Sequence, residues 1–121
     1  MRKNNIGIVE DEPQVADLYK TAFTVLGMSI SFIAGDGLEA VKAFEESDPK
    51  PQIVIMDHRM PIMTGVAAMK EMLKLNSETK YIIVSADSSI RKEAIEAGAL
   101  MFLEKPIQLK QLIDCVEDLR Q

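Results

Sequence analysis

The residues of this sequence whose types and spacing suit shared chemistry are Glu10, Asp11, Asp57, Ser85 and Lys105. Three carboxylates brought close together repel one another and need a cation. Oxygen-only donors select a hard ion, Mg²⁺ or, in its place, Mn²⁺. A metal held that way keeps open positions for water and a phosphoryl group. An ammonium gives one phosphoryl oxygen a compact positive charge, and a hydroxyl gives another a donor. The chemistry such a set serves is phosphoryl transfer, with an aspartate oxygen attacking in line while metal and lysine neutralise charge. No general base is needed, because an ionised carboxylate is already a nucleophile. Singly, each residue has a plainer use. Glu10-Asp11-Glu12 suits an acidic helix start, Asp57 a turn, Ser85 a helix cap, and Lys105 a solvated surface. Only their convergence argues for chemistry, so the elements that carry them decide the matter.

Ile53 to Asp57 is an apolar run closed by a carboxylate, with Pro61 and Gly65 stopping it. Such a run reads as a strand buried on both faces, and it leaves Asp57 at the strand's carboxyl end. Asn5–Val9 reads as a first strand ending at Glu10-Asp11-Glu12, and Pro13 suits the first position of a helix. Val15, Leu18, Tyr19, Ala22 and Leu26 give that helix an apolar face, which Gly27 ends as a left-handed cap. Met28–Ala34 reads as a second strand. Asp36 and Glu39 form a capping box, opening a helix that carries Leu38, Ala40, Val41 and Phe44. Asp48-Pro49-Lys50-Pro51 is a loop. Val66–Leu75 is a third helix with Val66, Met69, Met72 and Leu73 inward. Tyr81–Val84 is a strand ending at Ser85. Ser88–Ala97 is a weaker helix (Ile90, Ala94, Ile95) closed by Gly98. Leu100–Leu103 is a strand ending at Glu104-Lys105-Pro106. Leu109, Leu112, Ile113, Val116 and Leu119 mark the last helix. Strict strand–helix alternation predicts a doubly wound α/β fold, a parallel sheet with helices on both faces and right-handed crossovers. Five units suit the flavodoxin-like (βα)5 strand order 2-1-3-4-5. Glu10, Asp11, Asp57, Ser85 and Lys105 then share one sheet edge.

The 121 residues suffice for one domain, 1–121, and are too few for two. A formal net charge of −5 argues against direct nucleic-acid binding, which needs a surplus of Lys and Arg. No apolar run reaches membrane-spanning length and no signal-peptide core opens the chain. The single cysteine, Cys115, has no internal partner, which suits a reducing, cytoplasmic setting. Cys115 itself reads as a small apolar helix residue. His58, the only histidine, should point away from Asp57 by strand alternation. The methionines read as core filler, with Met60 and Met63 packing the loop after Asp57.

The ordered set of motifs resembles the receiver domain of two-component response regulators along essentially the whole chain, of the chemotaxis and sporulation single-domain type. The matching residues are Glu10-Asp11; Asp36-Gly37 with Glu39-Ala40; Asp57 with Met60, Pro61 and Gly65; Ser85-Ala86; Ala97-Gly98-Ala99; and Lys105-Pro106. The resemblance implies that Asp57 is the phosphoacceptor, supplied by a phosphohistidine on a sensor histidine kinase or a histidine phosphotransfer protein. It implies Mg²⁺ bound by Asp11, Asp57 and the backbone carbonyl of Arg59, with Glu10 acting through a metal-bound water. It implies a cis Lys105-Pro106 bond. Ser85 would swing to the phosphoryl group, Lys105 would pair with it, and Phe102 would follow Ser85 inward. That movement would alter the surface of the fourth helix, fifth strand and last helix. A downstream protein target, an effector domain, or a second phosphorylated copy would read it. Such a domain is not an enzyme on other molecules; it catalyses only its own phosphorylation and dephosphorylation. Arg59 and Asp87 flank the phosphoryl position, and an ion pair between them would slow the loss of the group.

Two other readings use parts of the same set. An aspartate-nucleophile phosphatase would want a second aspartate two residues past Asp57, where Arg59 stands. A flavin-binding module would want a neutral, hydroxyl-rich loop after the first strand, where Glu10-Asp11-Glu12 would repel phosphate. A receiver used only for protein binding, independent of phosphorylation, would not need the full active set.

Overall fold

A computed structural model describes residues 5–120; Met1–Asn4 and Gln121, the ends of the 1–121 domain expected from the sequence, lie outside the described residues. The elements run β1 (Asn5–Val9), α1 (Pro13–Val25), β2 (Ser29–Ala34), α2 (Gly37–Glu46), β3 (Ile53–Asp57), α3 (Gly65–Leu75), β4 (Lys80–Ser85), α4 (Arg91–Ala97), β5 (Met101–Glu104) and α5 (Leu109–Arg120). Among the described residues the five strands form one parallel sheet in the order β2-β1-β3-β4-β5. This is the expected flavodoxin-like arrangement. Every residue of β1 and β3 is buried, so both strands are apolar on both faces, as helices on either side require.

Side chains alternate across the sheet and feed two cores. Val54, Met56, Tyr81 and Ile83 pack against α2, α3 and α4 through Ala40, Phe44, Val66, Met69, Met72 and Ala94. Ile53, Ile55, Ile82 and Val84 pack against α1 and α5 through Ala16, Tyr19, Phe23, Leu112 and Val116. Phe23 and Phe44 are wholly buried and anchor one layer each; burying such a ring contributes roughly 1.5–3 kcal/mol.

Register places the strand ends together. Val9 lies opposite Met56, so the next residues, Glu10 and Asp57, are level. Asp57 lies opposite Val84, and Ser85 opposite Glu104. The Lys105 amide then donates to the Ser85 carbonyl at 2.9 Å. One edge therefore receives Glu10, Asp57, Ser85 and Lys105 from four adjacent strands.

Local signals held at the caps. The Asp36 carboxylate accepts from the Glu39 amide at 2.8 Å, and Glu39 reaches back to the Gly35 amide at 3.3 Å. Gly27 (φ 87°) and Gly98 (φ 124°) take the left-handed conformations that end α1 and α4. The Lys50 ammonium donates to the carbonyls of Phe44, Glu45 and Ser47 at 2.8 Å each, closing α2 from the loop beyond it.

Helix faces needed correction. On α1 the buried stripe is Ala16, Tyr19 and Phe23, while Leu18 and Leu26 are exposed. Two apolar stripes about 100° apart both meet helical spacing, and the sheet takes the one bearing the larger ring. On α2, Leu38 is exposed, one position off the Gly37, Ala40 and Phe44 stripe. The segment before α4 is a separate 3₁₀ turn, Ser88–Ile90, with Asp87 capping it, so the α-helix starts three residues later than expected. Ile95 is exposed and Ala94 takes the inward place. Leu100 precedes β5 rather than opening it and is also exposed. Met28, buried, precedes β2.

Tyr81 on β4 is fully buried, and its hydroxyl meets no hydrogen-bonding group among the described residues. A buried orphan hydroxyl costs about 1–3 kcal/mol. Tyr81→Phe should therefore raise unfolding free energy by about 1 kcal/mol. A urea titration checks this, and a lower midpoint at unchanged slope would contradict it.

Candidate functional site

The sheet edge assembles the acidic residues as their register demands. Glu10, Asp11 and Asp57 each offer one carboxylate oxygen, and these oxygens lie within 4.8 Å of one another. Glu10 and Asp57 are buried at the strand tips, while Asp11 is exposed at the mouth. The Lys105 Nζ stands 3.3 Å from Asp57 Oδ1 and 4.0 Å from Glu10 Oε1. Glu10 Oε2 accepts from the Glu12 amide at 3.0 Å, which turns the carboxylate into the cluster. The Lys105-Pro106 bond is cis, as expected.

Burial is the main reason Glu10 holds its proton up to about pH 7; the charges of Asp57 and Asp11 add to it, while the Glu12 amide and Lys105 oppose it. The Asp57 carboxyl is likewise raised above the usual carboxylate range, by burial first, with Lys105 pulling the other way. One ammonium thus leaves the set short of positive charge. A divalent cation fits what is missing, since the donors are all hard oxygens with one open side. When bound, such an ion would neutralise the carboxylates and polarise a phosphoryl oxygen. Glu10, Asp11 and Asp57 are the residues placed to hold it.

Comparison with known proteins decides what this pocket belongs to. Residues 6–117 match the response regulator receiver domain family. The chain belongs to that family. It is 36% identical over 111 residues to the chemotaxis protein CheY of Thermotoga maritima, covering 90% of this chain and 91% of that one. Among solved structures, a chain of the CheX-CheY-BeF3-Mg²⁺ complex from Borrelia burgdorferi superposes with a TM-score of 0.89 at 27% identity, covering 97% of this chain and 89% of that one. The response regulator TrrA from Thermotoga maritima, solved with Mg²⁺ and BeF, gives a TM-score of 0.83 at 29% identity, covering 98% and 99%. This is a receiver domain of two-component signalling with an acidic pocket. Among the described residues no helix is long and apolar enough to cross a membrane.

Ser85 is buried at the tip of β4, and its hydroxyl accepts from the Asp87 amide at 3.0 Å. Arg59 lies in the loop after β3 and approaches the Asp87 carboxylate at 3.8 Å, but its side chain is 82% exposed. Asp87 is held mainly by Ser89, whose hydroxyl and amide lower its pKa first, with Arg59 a lesser cause. The expected ion pair therefore forms as a loose, water-screened contact. The His58 ring serves structure: its Nδ1 accepts from the Val66 amide at 3.3 Å, at the start of α3 beside the Thr64 cap. Phe102, the aromatic that the resemblance has following Ser85 inward, is 5% exposed and lies inside the core. Gly65 packs against the Asp57 carbonyl, the Met56 side chain and the His58 backbone, so a β-carbon there would push on the strand that carries Asp57.

The raised Glu10 pKa has a definite sign. Unfolded, the group ionises near 4.5; folded, it stays protonated to about 7, so the folded state binds the extra proton between those limits. Stability of the metal-free domain should fall as pH rises across that window, by up to about 3 kcal/mol at roughly 1.4 kcal/mol per pH unit. Glu10→Gln should flatten that slope. Added Mg²⁺ should raise the melting temperature strongly above pH 7 and weakly at pH 5, because a metal binds the ionised carboxylates. Thermal melts from pH 4.5 to 8, with and without Mg²⁺, check this; a metal-free stability that climbs through pH 7 would contradict it.

Proposed function

We propose that Asp57 accepts a phosphoryl group from a phosphohistidine, on a sensor histidine kinase or a histidine phosphotransfer protein, in a Mg²⁺-dependent reaction. The observation that carries this reading is the Lys105 ammonium 3.3 Å from Asp57 Oδ1, with oxygens of Glu10 and Asp11 in the same cluster. The Asp57 carboxylate is the nucleophile, and burial makes it a stronger base than a solvated aspartate. Asp11 and Asp57 would hold the metal, joined by the Arg59 carbonyl, with Glu10 reaching it through water; Mn²⁺ has the same oxygen preference. Lys105 then follows the charge as it passes from carboxylate to phosphoryl oxygen, and the Ser85 hydroxyl leaves the Asp87 amide to donate to another oxygen.

Beside Lys105 lies a cleft of about 460 Å³ lined by Val15, Leu18, Pro106 and Ile107. Exposed Leu18, which lost its expected place in the core, contributes to an apolar seat there for the protein that delivers the phosphoryl group. The consequence is read on the α4-β5-α5 surface by a downstream target, an effector domain or a second phosphorylated copy, in the cytoplasm. The domain turns over no other phosphate ester.

Acetyl phosphate or phosphoramidate with Mg²⁺ should add one phosphoryl group per chain by intact mass, and Asp57→Asn should abolish it. Lys105→Ala should slow the reaction by about a hundredfold, the usual cost of removing one preorganised charge donor. Arg59→Ala should shorten the lifetime of the adduct only a few-fold, as a screened surface pair allows. An adduct that survives Asp57→Asn, or steady turnover of an organic phosphate, would overturn the reading.

A further inference from the structure

The Ser85 hydroxyl is engaged by the amide of Asp87, in its own loop. Yet Phe102 is already buried, sharing a core with Ala94 and Ala99, both nearly inaccessible. The ring is buried while the hydroxyl keeps that hydrogen bond. Two features of the chain account for it. Phenylalanine lacks the hydroxyl that would give an outward aromatic ring a partner in water. The Arg91 guanidinium, from the first residue of α4, lies over the ring with its carbon 4.8 Å from the centroid. That is well within cation–π range, and the planar guanidinium covers the ring face. Arg91 has no ion-pair partner among the described residues, so the ring is the contact that orients it.

We propose that Arg91 is a positioning residue that clamps Phe102 in the buried place whether or not Asp57 is phosphorylated. In this chain the output surface then changes through α4 and its arginine, not through entry of the ring. The path is short. Ser85 leads through Asp87 and the 3₁₀ turn Ser88–Ile90 directly into Arg91. Moving the Ser85 hydroxyl shifts that turn and slides the guanidinium across a stationary ring. The second half of the proposal rests on Asp57 being the phosphoacceptor; the clamp itself does not.

The test is methyl and aromatic NMR of the whole domain, following the Ala94 and Ala99 methyls and the Phe102 ring, assigned with Phe102→Leu. Spectra are taken with and without Mg²⁺ and beryllofluoride, for wild type, Arg91→Ala, Arg91→Met and Arg91→Lys. In wild type the ring and both methyls should keep their shifts on activation, while the Arg91 side-chain signals move. In Arg91→Ala and Arg91→Met the methyl ring-current shifts should drop by about half as the ring becomes mobile, and they should become sensitive to beryllofluoride. Arg91→Lys should restore part of the wild-type pattern, which a merely structural role for the alkyl stem would not require, since Arg91→Met keeps that stem. Ring and methyl signals that are identical in wild type and Arg91→Ala overturn the clamp, as does a wild-type ring that moves on activation. If Ser85 and Asp87 amides ignore beryllofluoride altogether, the phosphoacceptor reading fails instead, and the metal-free comparison of wild type with Arg91→Ala still decides the clamp.

Discussion

The repulsion among Glu10, Asp11 and Asp57 is the constraint that organises this molecule. Oxygens from three carboxylates sit within 4.8 Å of one another, two of the groups in a buried setting. Lys105 offsets part of that cost, at 3.3 Å from one carboxylate and 4.0 Å from another. Burial, with the neighbouring carboxylates adding to it, still leaves the carboxyls of Glu10 and Asp57 raised above the ordinary range. A folded protein keeps such a site only if something else stabilises the surroundings, and here the two hydrophobic cores above and below the sheet do so. The same shortage of positive charge would give a divalent ion its purchase on the pocket.

Parallel register turns that local problem into a reliable geometry. All five strands point one way, so their carboxyl ends lie on one edge, and the pairing fixes their levels to a single residue. Slipping β1 by one position would take Glu10 out of level with Asp57 and turn Ile6 and Ile8 toward the opposite core, where nothing is shaped for them. Hydrophobic burial of whole strands therefore positions charged groups that could not gather on their own. Gly65 matters for the same reason. Its missing β-carbon lets α3 begin directly against the backbone at the end of β3.

The pattern of buried strands was plain in the sequence because runs such as Ile53 to Met56 admit little else, and the caps at Asp36, Gly27 and Gly98 announced themselves by residue type. The convergence of Glu10, Asp11, Asp57 and Lys105 followed from topology once strand order was known. What local spacing could not tell was how each helix turns about its axis. Leu18 and Phe23 of α1 lie on neighbouring stripes, and only the depth available beneath the helix selects between them. Contacts between distant elements were equally out of reach. Nothing near Arg91 in the chain announces a ring to stack on, and Phe102 arrives from another element altogether. His58 was expected only to point away from Asp57; its bond to the Val66 amide depends on a loop that folds back on itself.

The most direct measurement of the central claim is paramagnetic broadening by Mn²⁺, used at low occupancy as a probe of where a divalent ion sits. The account requires the amide signals of Glu10, Asp11 and Asp57 to disappear first, with competition by Mg²⁺ restoring them and Asp57→Asn weakening the effect. Broadening centred on another acidic stretch, such as Glu93 to Glu96 or Asp114 to Asp118, or none that Mg²⁺ can reverse, would contradict it.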